Sequence, residues 1–154
     1  MHIRLAHESD LAELATLFYQ TVLEHAPQSY TPEQTQAWAS FATETDAFER
    51  FILDATTYVA EDETGIVGFA GIEQNGHVSS AYVRGDRTRR GIGSALMQVL
   101  LNDAAQRQMP RLYAEASEFS LGLFKKFGFQ LYDTEVVDRR GVQFTRYLVE
   151  KIRL

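Results

Sequence analysis

The spacing of apolar residues along the chain changes period more than once. Near the start, Leu11, Leu14, Ala15, Phe18 and Val22 recur every three or four residues, which places them on one stripe of a helix. A short strand from Ile3 to Leu5 precedes this helix, Ser9 is placed to cap it, and Pro27 ends it. Thr31-Pro32-Glu33-Gln34 then predicts a second helix start, with Thr as the cap, Pro in the first turn and Gln closing a capping box; Ala37, Trp38 and Phe41 follow at helical spacing. A third short helix from about Asp46 would bury Phe48, Phe51 and Ile52.

Beyond Thr57 the pattern becomes that of strands. Thr57 to Glu61, Ile66 to Glu73 and His77 to Val83 read as three of them, joined by Asp62-Glu63-Thr64-Gly65 and by Asn75-Gly76, a strong hairpin signal. Ile92, Ala95, Leu96, Val99 and Leu100 return to helical spacing in a segment that must end before Pro110. Arg111 to Glu115 predicts another strand. Ser117 is placed to cap a helix carrying Leu121, Phe124 and Phe127, which stops at Gly128 with Lys125 and Lys126 in its last turn, where the helix dipole favours cations. Phe129 to Val137 and Val142 to Val149 close the chain as a hairpin around Arg139-Arg140-Gly141. Residues 1–154 read as one domain mixing helices and strands, without repeat or linker.

Composition narrows the function. Fifteen basic against twenty-one acidic residues leave a formal charge of −6, which argues against a nucleic-acid partner. The absence of cysteine excludes disulfides, thiolate metal sites and a cysteine nucleophile. His2, His7, His25 and His77 show no ligand spacing, so no metal site is expected. No apolar run approaches the ~20 residues of a membrane span and the N-terminus does not read as a signal peptide, so the expectation is a cytoplasmic protein with no membrane partner.

The most chemically suggestive stretch is Arg87-Thr88-Arg89-Arg90-Gly91-Ile92-Gly93-Ser94, lying between a strand and a helix. Paired glycines let the backbone turn so that successive N–H groups face one ligand, and the helix that follows adds its positive end. A phosphorylated cofactor suits such a cradle. A P-loop would need Gly-Lys-Ser/Thr, and no Lys stands near Gly91 or Gly93; a dinucleotide fingerprint would need a third glycine where Leu96 stands.

Strand, basic glycine turn and helix in this order resemble the pyrophosphate motif of the GNAT superfamily of acyl-CoA-dependent N-acyltransferases. The resemblance extends along nearly the whole chain and includes the run Leu112-Tyr113-Ala114-Glu115-Ala116-Ser117 followed by Leu123-Phe124-Lys125-Lys126-Phe127-Gly128-Phe129. More narrowly, Tyr30-Thr31-Pro32-Glu33-Gln34 with Trp38, the Phe-Gly-Phe end and Arg140-Gly141 look like the YafP-like group of small bacterial acetyltransferases. The resemblance implies a single-domain GNAT fold of the α+β or α/β class. Its central sheet would be mixed but mostly antiparallel, of about seven strands, splayed between the fourth and fifth and flanked by about four helices. It also implies acetyl-CoA as cofactor, with Thr88, Arg89, Arg90, Gly91, Ile92, Gly93 and Ser94 at the pyrophosphate and Ala81, Tyr82, Val83 and Phe124 along the pantetheine arm. Tyr82 is equally a core aromatic. Two positions depart from the family pattern: Thr88 stands where Arg or Gln is usual, and Phe124 where many members place a general-acid tyrosine. Arg87, Arg89 and Arg90 are expected to offset the first change.

Only a neutral amine attacks a thioester, and an amine with a pKa of about 10.4 is protonated at pH 7, so a base or a water chain is required. Glu73 is the first candidate, against a solvated carboxylate at a hairpin end. Glu115 is the second, against an ion-pair role; His25, His77 and water held by Ser79 and Ser80 follow. Ser117 could protonate the leaving thiolate or simply cap a helix. Tyr30, Trp38 and Arg140 are candidates for binding the acceptor, Arg140 through a carboxylate; each also has an ordinary packing or surface explanation. The expected activity is acetyl transfer to a primary amine of a small molecule by direct attack. A catalytically silent acyl-CoA-binding module is the alternative, and a homodimer is an open expectation.

Overall fold

Seven strands and five α-helices make up the computed structural model, which describes residues 1–87 and 90–152. The chain opens with β1 (His2–Leu5), then α1 (Leu11–His25), α2 (Pro32–Ala39) and α3 (Thr45–Leu53). Next come β2 (Thr56–Asp62), β3 (Gly65–Ile72) and β4 (Val78–Val83). The helix α4 (Ile92–Gln106) leads to β5 (Arg111–Ala116), the short α5 (Leu121–Lys126), and the hairpin β6 (Gln130–Arg139) and β7 (Val142–Ile152).

Two antiparallel sheets, ordered β1-β2-β3-β4 and β5-β7-β6, meet at one point. There the residue pair His77 and Tyr113 forms a single parallel bridge, and the Tyr113 N–H donates to the Gly76 carbonyl at 3.1 Å. Beyond it β4 and β5 belong to different sheets, which is the predicted splay. Gly76 makes the junction sterically feasible. Its φ is +91°, and a Cβ built there would lie 2.1 Å from the Arg111 carbonyl oxygen.

The sheet has a hydrophobic core on each face. On one side α4 packs against β3 and β4 through Leu96, Met97 and Leu100, with Leu112, Ala114, Phe124 and Phe129 completing the layer. Gly68 permits this approach, since a Cβ there would stand 3.2 Å from both Ile92 and Leu96 side-chain atoms. On the other side α1, α2 and α3 cover Val59, Ile66 and Phe69. Phe18 is its centre, with the rings of Tyr82, Phe41, Phe48 and Phe51 at 4.7, 5.7, 5.7 and 6.1 Å.

Local expectations were met with shifts. The Thr31 capping box forms as predicted, the Gln34 N–H reaching Thr31 Oγ1 at 3.1 Å and Thr31 N–H reaching Gln34 Oε1 at 2.9 Å. Ser9 does not cap α1. A 3-10 turn, Glu8–Asp10, precedes that helix, and the Asp10 carboxylate accepts the His7 N–H at 2.7 Å. The Asn75-Gly76 turn is a three-residue loop closed by the Glu73 N–H to the His77 carbonyl at 2.8 Å, and β4 begins one residue later than expected.

Candidate active site

A cleft of about 1430 Å³ runs along the splay, and most of the candidate residues line it. At one end is the predicted cradle. Gly91 has a φ of +78°, immediately precedes α4, and has nothing within 4 Å of where a Cβ would stand. The first-turn N–H groups of a helix have no partner inside it, so those of Ile92, Gly93 and Ser94 form a ready anion site beside this open space. Gly93 packs closely instead, its built Cβ falling 3.5 Å from Val83 and 3.4 Å from Leu123. Arg90 is exposed next to it; Thr88 and Arg89 lie outside the described residues.

Arg87 is already committed, its guanidinium bonding Asp62 at 3.1 Å and Asp86 at 3.1 Å. The cation that sequence reasoning missed is Lys126, whose Nζ donates to Ser94 Oγ at 2.8 Å. Its position in the last turn of α5 was legible, but not that α5 would bring it to the start of α4.

From the cradle, β4 forms one wall of the gap. The Arg84 N–H donates to Val67 on β3 at 2.8 Å, so strand alternation sends the N–H groups of Ala81 and Val83 the other way, toward the gap left by β5. Tyr82 points to the helical face, its ring between Phe18 and Phe69 and its hydroxyl accepting the Trp38 indole N–H at 3.3 Å. Burial pushes its phenol up to about 12, so it stays protonated at neutral pH and is no base there. Phe124 is 3% exposed and packs edge-on to Phe129 at 5.0 Å.

At the junction of β4 and β5 three titratable groups meet. His77 Nδ1 lies 2.6 Å from Glu73 Oε1, and its Nε2 lies 2.8 Å from Glu115 Oε1, with the Tyr113 ring stacked on the imidazole at 4.9 Å. Ionised carboxylates only accept hydrogen bonds, so this geometry is that of an imidazolium donating to both. Burial alone pushes the imidazole down. The hydrogen bonds and charges of Glu115 and Glu73 together outweigh that and hold it above its ordinary 6.5. For Glu115, burial pushes up, but the His77 bond and the charges of His77, Arg146 and Arg139 prevail and hold the carboxyl below its ordinary range. Glu73 is the more open of the two carboxylates, its side chain 43% exposed, and its Oε2 has no hydrogen bond among the described residues. His77 had been one base candidate among several; its place between both carboxylates was not foreseen.

A bulge in β4, where Gly71 pairs with Ser80 but Ile72 with Val78, brings the Ser79 and Ser80 hydroxyls together. A Cβ built on Gly71 would lie 3.3 and 3.1 Å from them, and neither finds a hydrogen-bond partner among the described residues. Ser117, after β5, caps one turn ahead of expectation. Its Oγ accepts the N–H groups of Phe119 and Ser120, each at 3.2 Å, while α5 itself starts at Leu121.

The far wall is aromatic and basic. Tyr30 accepts the Glu118 N–H at 3.1 Å and packs edge-on to Trp38 at 5.4 Å, with Phe119 and Phe144 at 5.9 and 6.0 Å. The β6–β7 hairpin reaches α2 through Gln34 Nε2 to the Gln143 carbonyl at 2.9 Å, and Arg140 stands 3.5 Å from Glu44. His25 sits against Phe119 at 5.9 Å with Nε2 buried and unbonded among the described residues, apart from the carboxylate pair.

An Acetyltransferase (GNAT) domain profile matches residues 26–151. The chain belongs to the GNAT acetyltransferase family. It is 27% identical over 147 residues to the uncharacterized N-acetyltransferase YafP of Escherichia coli strain K12, covering 96% of this chain and 93% of that one. The GCN5-related N-acetyltransferase structure from Rhodopseudomonas palustris, described as an aminotransferase, class-II, superposes with a TM-score of 0.94 at 26% identity, covering 99% and 95% of the two chains. PaiA N-acetyltransferase of Thermoplasma acidophilum, solved with coenzyme A, gives 0.80 at 16% identity over 99% and 100%. The seven-strand GNAT fold is therefore the one read from the sequence, with five helices rather than about four. No helix among the described residues is long and apolar enough to cross a membrane.

Proposed function

We propose that this GNAT protein is a cytoplasmic acetyl-CoA-dependent N-acetyltransferase for a primary amine of a small molecule. The observation that carries the proposal is the Glu73–His77–Glu115 cluster at the mouth of a splay whose other end opens on a helix N-terminus. The chain offers what CoA needs: N–H groups at Ile92 to Ser94, Lys126 and Arg90 for the pyrophosphate, and the facing N–H groups of Ala81 and Val83 along the arm. Acetyl-CoA, when bound, supplies an acyl carbon activated as a thioester, whose sulfur leaves as the amine nitrogen takes its place.

The cluster's task is the amine proton. Moving it from an ammonium near 10.4 to an ordinary Glu near 4.3 is uphill by about 8 kcal/mol, whereas an imidazole near 6.5 brings this to about 5 kcal/mol. That difference selects His77, in the neutral form that appears as pH rises through its midpoint, as the proton's destination. Glu73, being the more open, receives the proton directly or through water and relays it; Glu115 holds the second ring nitrogen. Backbone N–H groups of Ala81 or Val83 stabilise the developing oxyanion. Ser117 Oγ accepts two N–H bonds and lies 3.2 Å from Ser120 Oγ, so it offers the departing sulfur a hydrogen by turning it from Ser120; a thiol pKa near 8.5 makes this assistance useful but not obligatory. Tyr30 and Trp38 wall the acceptor, and Arg140 stands at its outer edge.

A panel of primary amines with acetyl-CoA, product mass being the readout, tests this beside a calorimetric CoA titration. N-acetylated product supports transfer. CoA binding without product on any amine indicates the silent module, the reading that Phe124, in place of an acid tyrosine, favours. Pairing of two copies belongs to the same proposal, since β6 is an outer strand with Leu131, Tyr132 and Val136 exposed; sedimentation showing only monomer at working concentration would remove it.

A further inference from the structure

The acceptor side of the cleft is electrically polarised, and the polarity is set by strand alternation. On β6 the residues Glu135, Val137 and Arg139 share a face, and they pair with Arg146, Phe144 and Val142 of β7. Glu115 of β5, paired with Leu148, lies on the same face. The three arginines of this hairpin, Arg139, Arg140 and Arg146, therefore line the same cleft as Glu73 and Glu115, in a protein whose overall charge is −6.

The three cations are not equivalent. Arg146 is held by Glu135 through both Nε and Nη2. Among the described residues Arg140 pairs only with Glu44, at 3.5 Å and with both side chains about half exposed, a pair that a ligand can readily exchange. Arg139 lines the cleft and has no carboxylate within hydrogen-bonding distance among the described residues. Asp138 beside it is turned to its own loop, accepting the Gly141 N–H at 2.9 Å.

Building on the acetyltransferase reading, we infer that the acceptor is an amino acid: its amine lies against Glu73 and Glu115, and its carboxylate is gripped by Arg139 with Arg140 beside it. A guanidinium fork matches a carboxylate bidentately, which a lone amine substrate would leave unused. The Tyr30 and Trp38 rings flank the body of the molecule and favour an apolar side chain. Glu73 and Glu115 at the strand junction and Arg139 and Arg140 at the hairpin all line this one cleft, so a zwitterion meets both signs within it.

Two matched pairs test this: L-phenylalanine against phenethylamine, and L-leucine against isoamylamine. For each pair the ratio of kcat/KM is measured in the native protein, Arg139→Gln and Arg139→Lys, so that differences in amine basicity cancel between proteins. The same ligands are titrated by calorimetry into the CoA-loaded protein, a readout that needs no turnover. The expected result is a ratio favouring the amino acid in the native protein that falls by about 10- to 100-fold in Arg139→Gln, with Arg139→Lys between. Binding that prefers the amino acid without any product would support the subsite while refuting transfer. Ratios unchanged within about threefold, or no binding preference for the amino acid, would overturn the inference; the Arg139 side chain is exposed and has no hydrogen bond among the described residues, so both variants fold.

Discussion

Gly91 offers the cleanest separation of fold from ligand binding. Its φ of +78° costs a residue with a side chain roughly 1–2 kcal/mol, but the space around a new Cβ is empty to 4 Å, and Asp or Asn before a helix recovers part of that cost by capping. Gly91→Asn and Gly91→Asp should therefore melt within a few degrees of each other. They differ in one charge placed where the pyrophosphate is proposed to sit. Two unit charges 4 Å apart repel by about 1 kcal/mol in water and about 4 kcal/mol at the dielectric of a protein surface. An open cradle belongs near the lower figure, and a pyrophosphate presents more than one charge, so Asp should weaken CoA binding about 10- to 30-fold beyond Asn. Calorimetric titration at low and high salt measures this, and high salt should shrink the gap. Equal CoA affinities for the two variants at low salt would refute the cradle assignment.

Glu73→Gln keeps shape but removes one carboxylate from the imidazole, lowering His77's proton affinity; kcat/KM near neutral pH should drop by roughly 10²-fold, with the gap narrowing as pH rises and solvent supplies neutral amine. Superimposable pH–rate profiles would take Glu73 out of the reaction. Phe124→Tyr should change turnover by less than about tenfold, because the buried ring packs on Phe129; a hundredfold gain would show that the native site lacks an acid it needs. Gly76→Ala forces a Cβ to 2.1 Å from the Arg111 carbonyl, so thermal melting should reveal a loss of several kcal/mol, and a native melting curve would contradict the junction as described.

Local features were the legible ones. The helical stripe around Phe18, the Thr31 capping box and the glycine turn before α4 are all written within a few residues, and periodicity or cap chemistry exposes them. The proton cluster was only half legible: Glu73 and His77 are neighbours in one hairpin, but Glu115 is 38 residues beyond His77 and joins them only because His77, just ahead of β4, pairs in parallel with Tyr113 of β5 at a single bridge. Lys126, 32 residues from Ser94, was missed for the same reason, since helix ends carry no sequence signal of what they approach. Ser9 and Ser117 show the opposite limit. A good cap residue marks a helix start to within a turn, and Asp10 and the Ser117 turn decided the actual positions.

The central claim is that His77, clasped by two carboxylates, is where the amine proton goes. Nitrogen NMR of the His77 ring in the intact protein, followed across pH, tests it most directly. The account predicts an imidazolium with both ring nitrogens protonated at low pH and a midpoint above 6.5, so that the clasp is fully formed below 6.5 and the base form appears as pH rises through the midpoint. A midpoint at or below 6.5, or one ring nitrogen unprotonated throughout, would contradict it.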